Sequence, residues 1–488
     1  MYQLIQKKRV IIMSNNAGQV VVANRSSGTL SVINATNDEL LLNVALPQED
    51  GESTPEPMYV TYLSETNEVV VGDHANDRVV FFNVSDYTVS SILAVGEGVF
   101  HSWADPDEEQ LWVVNDIDNT VSVIGLPQKE VIATIPLSED LVALGGRVHD
   151  VFLDPVDDFA YVTVLNVEGD TDALIKYSTE SFAEVDRAVV GDDPHLAATA
   201  SNDVLYVPAQ DSNLVSILDR DTLDLVTEIS VPAAHGAVGA VDRRNFDVFY
   251  TTNIAGGGTD AIYAIDTVTN ELIGEPVDTP FSTPHNLFLS AQADKLYVTH
   301  SGDNNQVSVF DIDEQGLLEL SGTVTVGNNP FGLASVAGNP FDAEFYRFQS
   351  SSSFGSYLFA GDEERESINN DFANSFDEEG LAFTAASQAN DELTAFYRFR
   401  SDRGYLLVGE EERTAIVEDA NLSEVFQEEG LAFYTYAAGS DKGSAFHRLR
   451  NLNVPGAYLY ATGDELANIQ NNLSDVYFDE GVAFEAMV

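Results

Sequence analysis

The chain has 488 residues, with 22 Lys+Arg against 80 Asp+Glu, so its formal net charge is −58. A hydrophobic content of 44 % is ordinary for a folded protein and too high for a disordered one. Because the strong negative charge repels nucleic-acid phosphate and anionic lipid, composition argues against nucleic-acid partners and membrane insertion. The absence of cysteine excludes disulfides, thiolate catalysis and cysteine-ligated metals.

The first residues do not form a convincing targeting signal. A basic stretch at 7–9 precedes an apolar run of only four residues at 10–13, whereas a signal peptide needs roughly 7–15 apolar residues. We therefore interpret residues 1–18 as an N-terminal tail. No later stretch approaches the roughly 18 apolar residues of a membrane-spanning helix. Only 6 of the 22 basic residues are lysine, and this acidic, lysine-poor composition suits high salt or a calcium-containing exterior. We expect an extracellular or cell-surface location.

Residues 19–340 contain a repeated set of strand-like segments. In the clearest unit, segments at 205–207, 214–219 and 225–229 are separated by polar turns. These segments are short, rich in β-branched and aromatic residues and bounded by Asp, Asn, Gly and Ser, which is typical of strands. Seven such units follow one another with no long helical pattern between them.

A further apolar segment follows each unit. These segments begin, 40 to 50 residues apart, near Met58, His101, His149, His195, His235, His285 and Phe331. Four strands repeated seven times at this spacing predict radial repetition, a seven-bladed β-propeller over residues 19–340. We expect residues 331–337 to supply the inner strand of the blade made by 19–46, because this pairing removes an open sheet edge.

The stretches 111–135 and 205–229 carry a family resemblance. Both are similar to the YVTN repeat of seven-bladed propellers, which occurs in surface-layer-type proteins, YncE-like periplasmic proteins and relatives of lactonases. The resemblance implies the propeller fold over about residues 19–340. It leaves the function open, because this fold hosts many activities.

The last 148 residues, 341–488, repeat differently. The motif Phe-Tyr-Arg-Phe at 345–348 recurs at 396–399 and, as Phe-His-Arg-Leu, at 446–449. A second motif, at 378–383, recurs at 428–433 and 479–484. Three copies of about 50 residues predict an all-β domain with pseudo-threefold symmetry, of the β-trefoil type. The repeat resembles the DUF5648 type, a domain of unknown function found appended to large exported bacterial proteins.

The arginine and glutamate of these motifs allow two interpretations. They could form carboxylate-rich pockets, each with a tyrosine, for sugar hydroxyls or calcium. Alternatively, Arg347, Arg398 and Arg448 pair with Glu379, Glu429 and Glu480 as internal supports. Because a half-buried arginine needs a carboxylate partner and the spacing is nearly equal in all copies, the pairing interpretation is favoured.

The histidines give the sharpest chemical signal. Five of the eight, His101, His149, His195, His235 and His285, are predicted at the entry of successive inner strands, with Arg147 close by. Neutral imidazoles meeting in a channel could bind a transition metal or a ligand, or act as acid and base. Because Met58 and Phe331 occupy the same place in two units, packing is the favoured role. We expect a wide channel whose histidine rings lie too far apart to share an ion.

Acidic loops offer a second possible metal site. The segments 116–118, 154–158 and 169–172 could supply oxygens to calcium. None matches a known calcium loop, and Asp and Asn also make turns by accepting hydrogen bonds from nearby backbone. The turn interpretation is therefore favoured, and the cofactor is left as calcium, a transition metal or none.

The sequence therefore predicts an extracytoplasmic or surface-associated binding or scaffold protein rather than an enzyme. Two repeat domains in tandem present broad faces suited to a protein or carbohydrate ligand. The alternative function is that of a lactonase-like hydrolase or metal-dependent enzyme that uses the propeller channel.

Overall fold

The computed structural model describes most of the chain. The described residues are 18–169, 172–195, 197–198, 203–239, 248–254, 260–290, 294–338, 341, 343–352, 355–386, 393–440 and 442–487. The chain divides into two compact units, and the division falls after Gly338. No helix within these ranges is long and apolar enough to cross a membrane.

The N-terminal unit is built from seven antiparallel sheets, as far as the described residues show. The innermost strands are Pro57–Leu63, Val99–Ala104, Arg147–Leu153, Ala197–Ala198, Ala234–Gly239, Pro284–Leu289 and Pro330–Val336. The second strands are Gln19–Asn24, Glu68–Asp73, Gln110–Asn115, Phe159–Leu165, Val204–Ala209, Val248–Asn253 and Lys295–His300. Both sets are short and rich in Val, Tyr and Phe, which suit a buried pleated surface.

The outer half of each sheet is more exposed. The third strands are Thr29–Asn34, Arg78–Asn83, Thr120–Gly125, Ala173–Ser178, Leu214–Asp219, Ala261–Asp266 and Gln306–Ile312. The outermost strands are Leu40–Ala45, Val89–Ala94, Glu130–Pro136, Glu184–Val189, Leu225–Ser230, Leu318–Thr325 and the short pair Glu271–Leu272 and Val277–Asp278. A single α-helical turn, Glu139–Ala143, and the 3-10 turns Arg25–Ser27 and His74–Asn76 also lie in this unit. The all-β, propeller-type fold predicted from the repeats is confirmed.

The two ends of the propeller meet in one blade. Strand Pro330–Val336 pairs antiparallel with Gln19–Asn24, and Gln19 lies opposite Val336. The sheet order then continues through the next two strands of the same blade. The predicted closure by 331–337 is confirmed, and it leaves no unpaired inner edge on that sheet.

Large buried aromatic residues tie neighbouring blades together. They occupy the third position of five second strands: Trp112, Tyr161, Tyr206, Tyr250 and Tyr297. Three of the hydroxyls donate hydrogen bonds to the next blade, from Tyr161 to Arg220 O at 3.2 Å, from Tyr250 to Gly316 O at 2.7 Å and from Tyr297 to Asp38 Oδ1 at 2.6 Å. Each ring thus buries apolar surface while its polar end is satisfied.

The C-terminal unit contains three copies of a strand-strand-helix-strand module. The first strands are Ala343–Ser350, Thr394–Arg400 and Ser444–Asn451, and the second are Tyr357–Ala360, Tyr405–Gly409 and Tyr458–Ala461. The helices are Asp362–Asp371, Glu410–Glu418 with Ala420–Val425, and Gly463–Asn472. The third strands are Phe376–Ala385, Gln427–Ala437 and Tyr477–Ala486. The β-trefoil arrangement expected from the repeat stays a prediction.

The shared core of this unit contains seven described phenylalanines: Phe359 and six that occur as one pair in each copy. Within each copy the pair is stacked: Phe345 on Phe383 at 5.4 Å, Phe396 on Phe433 at 5.8 Å and Phe446 on Phe484 at 5.3 Å between ring centroids. Between copies, Phe383, Phe433 and Phe484 meet edge to face at 5.2 to 5.6 Å. This arrangement gives the sequence repeat a threefold packing centre.

Candidate functional site: the propeller channel

A backbone irregularity recurs at the entry of the innermost strands. In six of the seven described innermost strands, the pairing with the second strand shifts register there, as in a β-bulge. In these six strands we take the residue directly after the last paired residue before the shift. In the seventh we take the residue directly after Pro194, which forms an isolated bridge with Ala209. This gives seven equivalent positions. We call these positions the channel ring: Met58, Phe100, His149, His195, His235, His285 and Phe331. Bulges re-aim side chains, and here they direct them toward one another.

The register corrects the sequence alignment for one histidine. Phe100, and not His101, occupies the channel ring in its blade, because Val99 is the last paired residue before the bulge. His101 is one residue further along, where its Nδ1 lies 2.8 Å from Val151 O. The ring of His101 also contacts Tyr59, with 4.2 Å between centroids. A bulge breaks strict alternation, so counting along the sequence could not separate the two positions.

The ring side chains are in mutual contact. The centroid distances are 4.8 Å for Phe100–His149, 4.9 Å for His149–His195, 3.7 Å for His195–His235, 4.7 Å for His235–His285, 4.1 Å for His285–Phe331 and 6.0 Å for Phe331–Phe100. The expectation of a wide channel with well-separated rings is therefore wrong. Met58, Tyr59 and Phe331 form an apolar cluster, packed against Phe100, on one side of the ring.

Two glycines explain how the strands approach so closely. A Cβ on Gly236 would lie 2.2 Å from His285 O, and a Cβ on Gly332 would lie 2.6 Å from Met58 O. Each glycine directly follows a ring residue. Side chains at these positions would push the innermost strands apart and open the ring.

Burial keeps most of these imidazoles neutral. It lowers the pKa of His149 to about 4 and that of His285 to about 3, and it moves the pKa of His235 well below 6.5. Neighbouring histidines add to the effect on His235 and His285. Neutral imidazoles retain a lone pair, which is the form that binds metal ions.

His195 differs from the other ring histidines. Burial lowers its pKa, but a hydrogen bond to Asp150 and the charge of that carboxylate outweigh burial, so the pKa of His195 is raised. His195 Nδ1 lies 3.1 Å from Asp150 Oδ2. Its Nε2 is buried and has no hydrogen-bond partner among the described residues. A carboxylate on one nitrogen with a free second nitrogen is the usual arrangement of a metal-binding histidine.

One further carboxylate completes a cluster. Ligand atoms of His149, Asp193 and His195 all lie within 4.8 Å of one another. Asp193 Oδ1 is 3.9 Å from His195 Nε2, and the Asp193 side chain is 30 % exposed where that of His195 is 4 % exposed. The cluster therefore reaches from the buried channel ring to the surface. Two imidazoles and one carboxylate at this separation can close around a metal ion with small movements.

Asp150 and Asp193 were missed by sequence reasoning. Each lies within two residues of a ring histidine, and that proximity was the only signal available. Asp193 is held by its backbone, since Asp193 N donates to Asp172 Oδ2 at 2.9 Å. Asp172, inside the acidic segment 169–172, therefore anchors the backbone at Asp193, and its other oxygen accepts a hydrogen bond from Val167 N at 2.8 Å.

The other acidic segments behave as turns and ion pairs where they are described. Asp154 Oδ1 accepts hydrogen bonds from Val156 N at 2.9 Å and Asp157 N at 3.1 Å, which supports the turn interpretation for 154–158. Asp116 pairs with Arg147, with 3.0 Å between Nη2 and Oδ2. Arg147 is exposed, and its cation is thus engaged by Asp116 and not by the channel ring. Residues 170–171 lie outside the described residues.

The repeated arginines of the C-terminal unit are structural pairs. Arg347 Nε binds Glu379 at 2.7 Å, Arg398 Nε binds Glu429 at 2.8 Å and Arg448 Nε binds Glu480 at 2.8 Å. Each guanidinium also binds a glutamate on the helix of another copy: Glu465, Glu364 and Glu412, respectively. The favoured pairing interpretation is confirmed, and the pairs also link the three copies in a cycle.

Copy three differs through coupled substitutions. In copies one and two, Arg365 and Arg413 lie over Tyr346 and Tyr397 and bind Glu378 and Glu428. The aligned residues of copy three are Leu466, His447 and Asp479, and His447 Nδ1 lies 3.0 Å from Asp479. A direct contact between His447 and Asp479 thus stands where copies one and two have the arginine bridge.

Two family descriptions match parts of the chain. Residues 4–235 match the family described as "Lactonase, 7-bladed beta-propeller", and residues 344–487 match "Domain of unknown function (DUF5648)". The resemblance to DUF5648 noted from the repeat is thus confirmed, and the propeller resembles the lactonase type. No curated protein matches the chain.

Solved structures resemble the propeller part only in fold. A functionally unknown protein from Desulfotomaculum acetoxidans has 14 % identity and a TM-score of 0.54, and the match covers 66 % of this chain and 99 % of that one. The periplasmic gluconolactonase of Pseudomonas aeruginosa has 18 % identity, a TM-score of 0.53 and coverages of 66 % and 99 %. A putative 6-phosphogluconolactonase from Bacteroides fragilis has 15 % identity, a TM-score of 0.53 and coverages of 67 % and 99 %.

Proposed function

We propose that the propeller is a metal-dependent hydrolase of small esters or lactones, with a divalent transition metal held by His149, Asp193 and His195. The observation that carries the proposal is the convergence of these three side chains beside a buried His195 Nε2 that has no partner among the described residues. A buried nitrogen without a hydrogen bond is costly, and a bound metal ion would remove that cost.

The donor set favours zinc or a similar ion over calcium. Calcium takes six to eight oxygen ligands, whereas two imidazole nitrogens and one carboxylate suit a borderline-soft transition metal. Three protein ligands leave a fourth position open, as in catalytic zinc sites. The partial exposure of Asp193 supports access of substrate to that position.

Protonation supports the same assignment. His149 is already neutral at pH 7, because burial lowers its pKa to about 4. His195, with its raised pKa, must release its proton before Nε2 can bind a metal. Asp150 then holds Nδ1–H and fixes the imidazole orientation. Metal affinity should therefore weaken as the pH falls through the pKa of His195.

The chemistry that such a site offers is hydrolysis. The metal would polarise a carbonyl or lower the pKa of a bound water. Water adds to the lactone carbonyl, the ring C–O bond breaks, and the water proton passes to the leaving alkoxide, which gives a hydroxy acid. The match to the lactonase family over residues 4–235 supports this reaction class. The apolar cluster of Met58, Tyr59 and Phe331 supports exclusion of bulk water from one side.

The decisive experiment measures metal binding and hydrolysis together. The full chain is stripped with a chelator and titrated with zinc chloride by calorimetry, and δ-gluconolactone hydrolysis is followed with and without zinc. We expect one zinc per chain in the wild type and at least a hundredfold weaker binding in His195→Ala and His149→Ala, because each variant loses one of three ligands.

His285→Phe is the matched control. The substitution lies in the same channel ring but outside the three-residue cluster, and two blades already carry phenylalanine at this position. It should bind zinc as the wild type does. Wild-type zinc binding that His195→Ala leaves unchanged, or no binding at all, would refute the metal site. Zinc binding without any lactone hydrolysis would refute the hydrolase assignment alone.

For the C-terminal unit we propose a binding role with a carbohydrate as ligand. A cleft in this unit supports that role. The acidic, lysine-poor composition supports an extracytoplasmic setting, which fractionation of the native cells would test.

A further inference from the structure

A cleft of about 350 Å³ lies between copies one and two of the C-terminal unit. Part of its lining comes from the turns that join the first and second strands of these copies and from the adjoining strand ends, including Ser350, Ser352, Arg400, Ser401, Arg403 and Tyr405. The rest comes from the third strands and from the helix Ala420–Val425. The volume is within the range of small-ligand sites. The Ser401 hydroxyl is engaged in its own turn, where it accepts from Arg403 N at 3.1 Å and from Gly404 N at 3.0 Å. The hydroxyls of Ser350 and Ser352 share one hydrogen bond of 3.2 Å and keep further donor and acceptor capacity for a hydroxyl-bearing ligand.

The cleft contains the least neutralised arginines of the described chain. Among the described residues, Arg403 has no carboxylate oxygen within 4.0 Å, and the nearest one to Arg400 is Glu429 Oε1 at 3.7 Å, whereas every other described arginine has one at 3.4 Å or less. Arg400 Nη2 also donates a long hydrogen bond, 3.4 Å, to Gln427 Oε1. In a chain with 80 acidic and 22 basic residues, two such guanidinium groups in one cleft are exceptional.

Comparison of the three copies shows that a weakly neutralised arginine occurs at this position in copy two alone. The register equivalents of Arg400 are Gln349 in copy one and Arg450 in copy three. Arg450 is neutralised by Glu480 at 2.8 Å and lies over the Phe478 ring. Gln349 carries no charge and donates to the Tyr357 hydroxyl at 2.9 Å. Only copy two therefore presents an under-neutralised cation at this position.

The remaining lining is compatible with an anionic ligand. Asp402 and Glu424 also line the cleft, but neither lies within 4.0 Å of a guanidinium nitrogen of Arg400 or Arg403 in the described structure. Phe376 and Tyr405 supply aromatic surface. A planar guanidinium group binds a carboxylate through two parallel hydrogen bonds.

We infer that this cleft binds an acidic saccharide, a sugar whose carboxylate is held by Arg400 and Arg403 and whose hydroxyls bind Ser350 and Ser352. The inference rests on the carbohydrate-binding role proposed for this unit and is independent of the hydrolase proposed for the propeller channel. The carboxylate of the sugar matches the charge of the two arginines, and its hydroxyls match the polar groups of the two serines. Because both arginines are solvent-accessible, binding should weaken as salt is added.

The test titrates digalacturonate into the full chain by calorimetry, with a neutral galactose disaccharide and inorganic phosphate as comparison ligands. We expect binding of digalacturonate and at least tenfold weaker binding in Arg403→Gln and in Arg400→Gln, which copies the residue of copy one. Glu424→Gln should bind more tightly, because it removes a repelling charge from the lining.

Arg450→Gln is the control, since it removes an arginine at the same register that is already neutralised. It should leave digalacturonate binding unchanged, and unaltered melting temperatures will show that all variants are folded. Digalacturonate binding that Arg403→Gln does not weaken, or no binding in the millimolar range, would overturn the proposal. Phosphate binding as tight as that of digalacturonate would overturn the saccharide assignment.

Discussion

The two repeat units differ in how uniform their repeated positions are and in whether the side chains there have partners. In the C-terminal unit the same arginine recurs in all three copies, and each one is satisfied by two glutamates. In the propeller the seven channel-ring positions are equivalent in geometry, but they carry three different residue types, Met, Phe and His. Two of its buried atoms, His195 Nε2 and His235 Nδ1, have no hydrogen-bond partner among the described residues.

This difference helps to distinguish structural residues from candidate ligand-binding residues within a repeat. A residue that recurs with its partner at nearly constant spacing has its hydrogen bonds satisfied inside the protein and is not available to a ligand. A position that keeps its geometry while its side chain varies from copy to copy does not depend on one fixed partner, so its side chain can bind a ligand. The same logic applies to Arg400, whose equivalents in the other copies are uncharged or neutralised.

The largest expected effect concerns pH and the channel ring. The unfolded pKa of histidine is about 6.5, and burial lowers the folded pKa of His285 to about 3. The unfolded state therefore binds more protons below pH 6.5, so this contribution is fully present above that pH and is lost as pH falls toward 3. Between pH 6.5 and 4.5 the free energy of unfolding, measured by urea denaturation, should fall in both proteins. We expect the fall to be about 2 kcal/mol smaller in His285→Phe than in the wild type. Identical pH profiles would show that His285 is not kept neutral by the fold.

A smaller effect should come from the arginine cycle. Arg398, with 18 % of its side chain exposed, binds Glu429 in its own copy and Glu364 on the helix of copy one. Arg398→Ala should lower the free energy of unfolding by about 1–2 kcal/mol, because two partly buried carboxylates lose their cation. A double-mutant cycle with Glu364→Ala should show a coupling of about 0.5–1 kcal/mol.

The control for this cycle is Arg403→Ala, since Arg403 has no carboxylate within 4.0 Å among the described residues. Its free energy of unfolding should stay within about 0.5 kcal/mol of the wild-type value. A loss as large as that of Arg398→Ala would mean that the ion pairs seen in the structure do not distinguish the two arginines.

The smallest effect is the response of the whole chain to salt. With a net charge of −58, repulsion between like charges destabilises the folded state, and screening relieves it. The melting temperature should rise by a few degrees between about 10 mM and about 1 M NaCl, as followed by circular dichroism. A flat profile would show that paired charges, such as those of the arginine cycle, leave little net repulsion.

Much of the fold followed from the sequence because its repeats impose it. Strand-length segments seven times over, bounded by turn residues, leave few architectures other than a propeller. The closure by 331–337 followed because an open inner edge is unfavourable. The pairing of Arg347 with Glu379 followed from nearly equal spacing in three copies. The blades and the arginine pairs were predictable because they are repeated, whereas the closure followed from the general cost of an unpaired sheet edge.

The chemistry of the channel could not be obtained in this way. Sequence determined that histidines enter successive inner strands, but a one-residue bulge decided that Phe100 and not His101 joins the channel ring. Only the tertiary structure brought His149, from the preceding blade, to Asp193 and His195, and only it left His195 Nε2 buried without a partner among the described residues. Periodicity fixes which elements form, because it acts through local geometry. Which side chains meet depends on closing a ring of seven sheets, and that closure is a property of the whole unit.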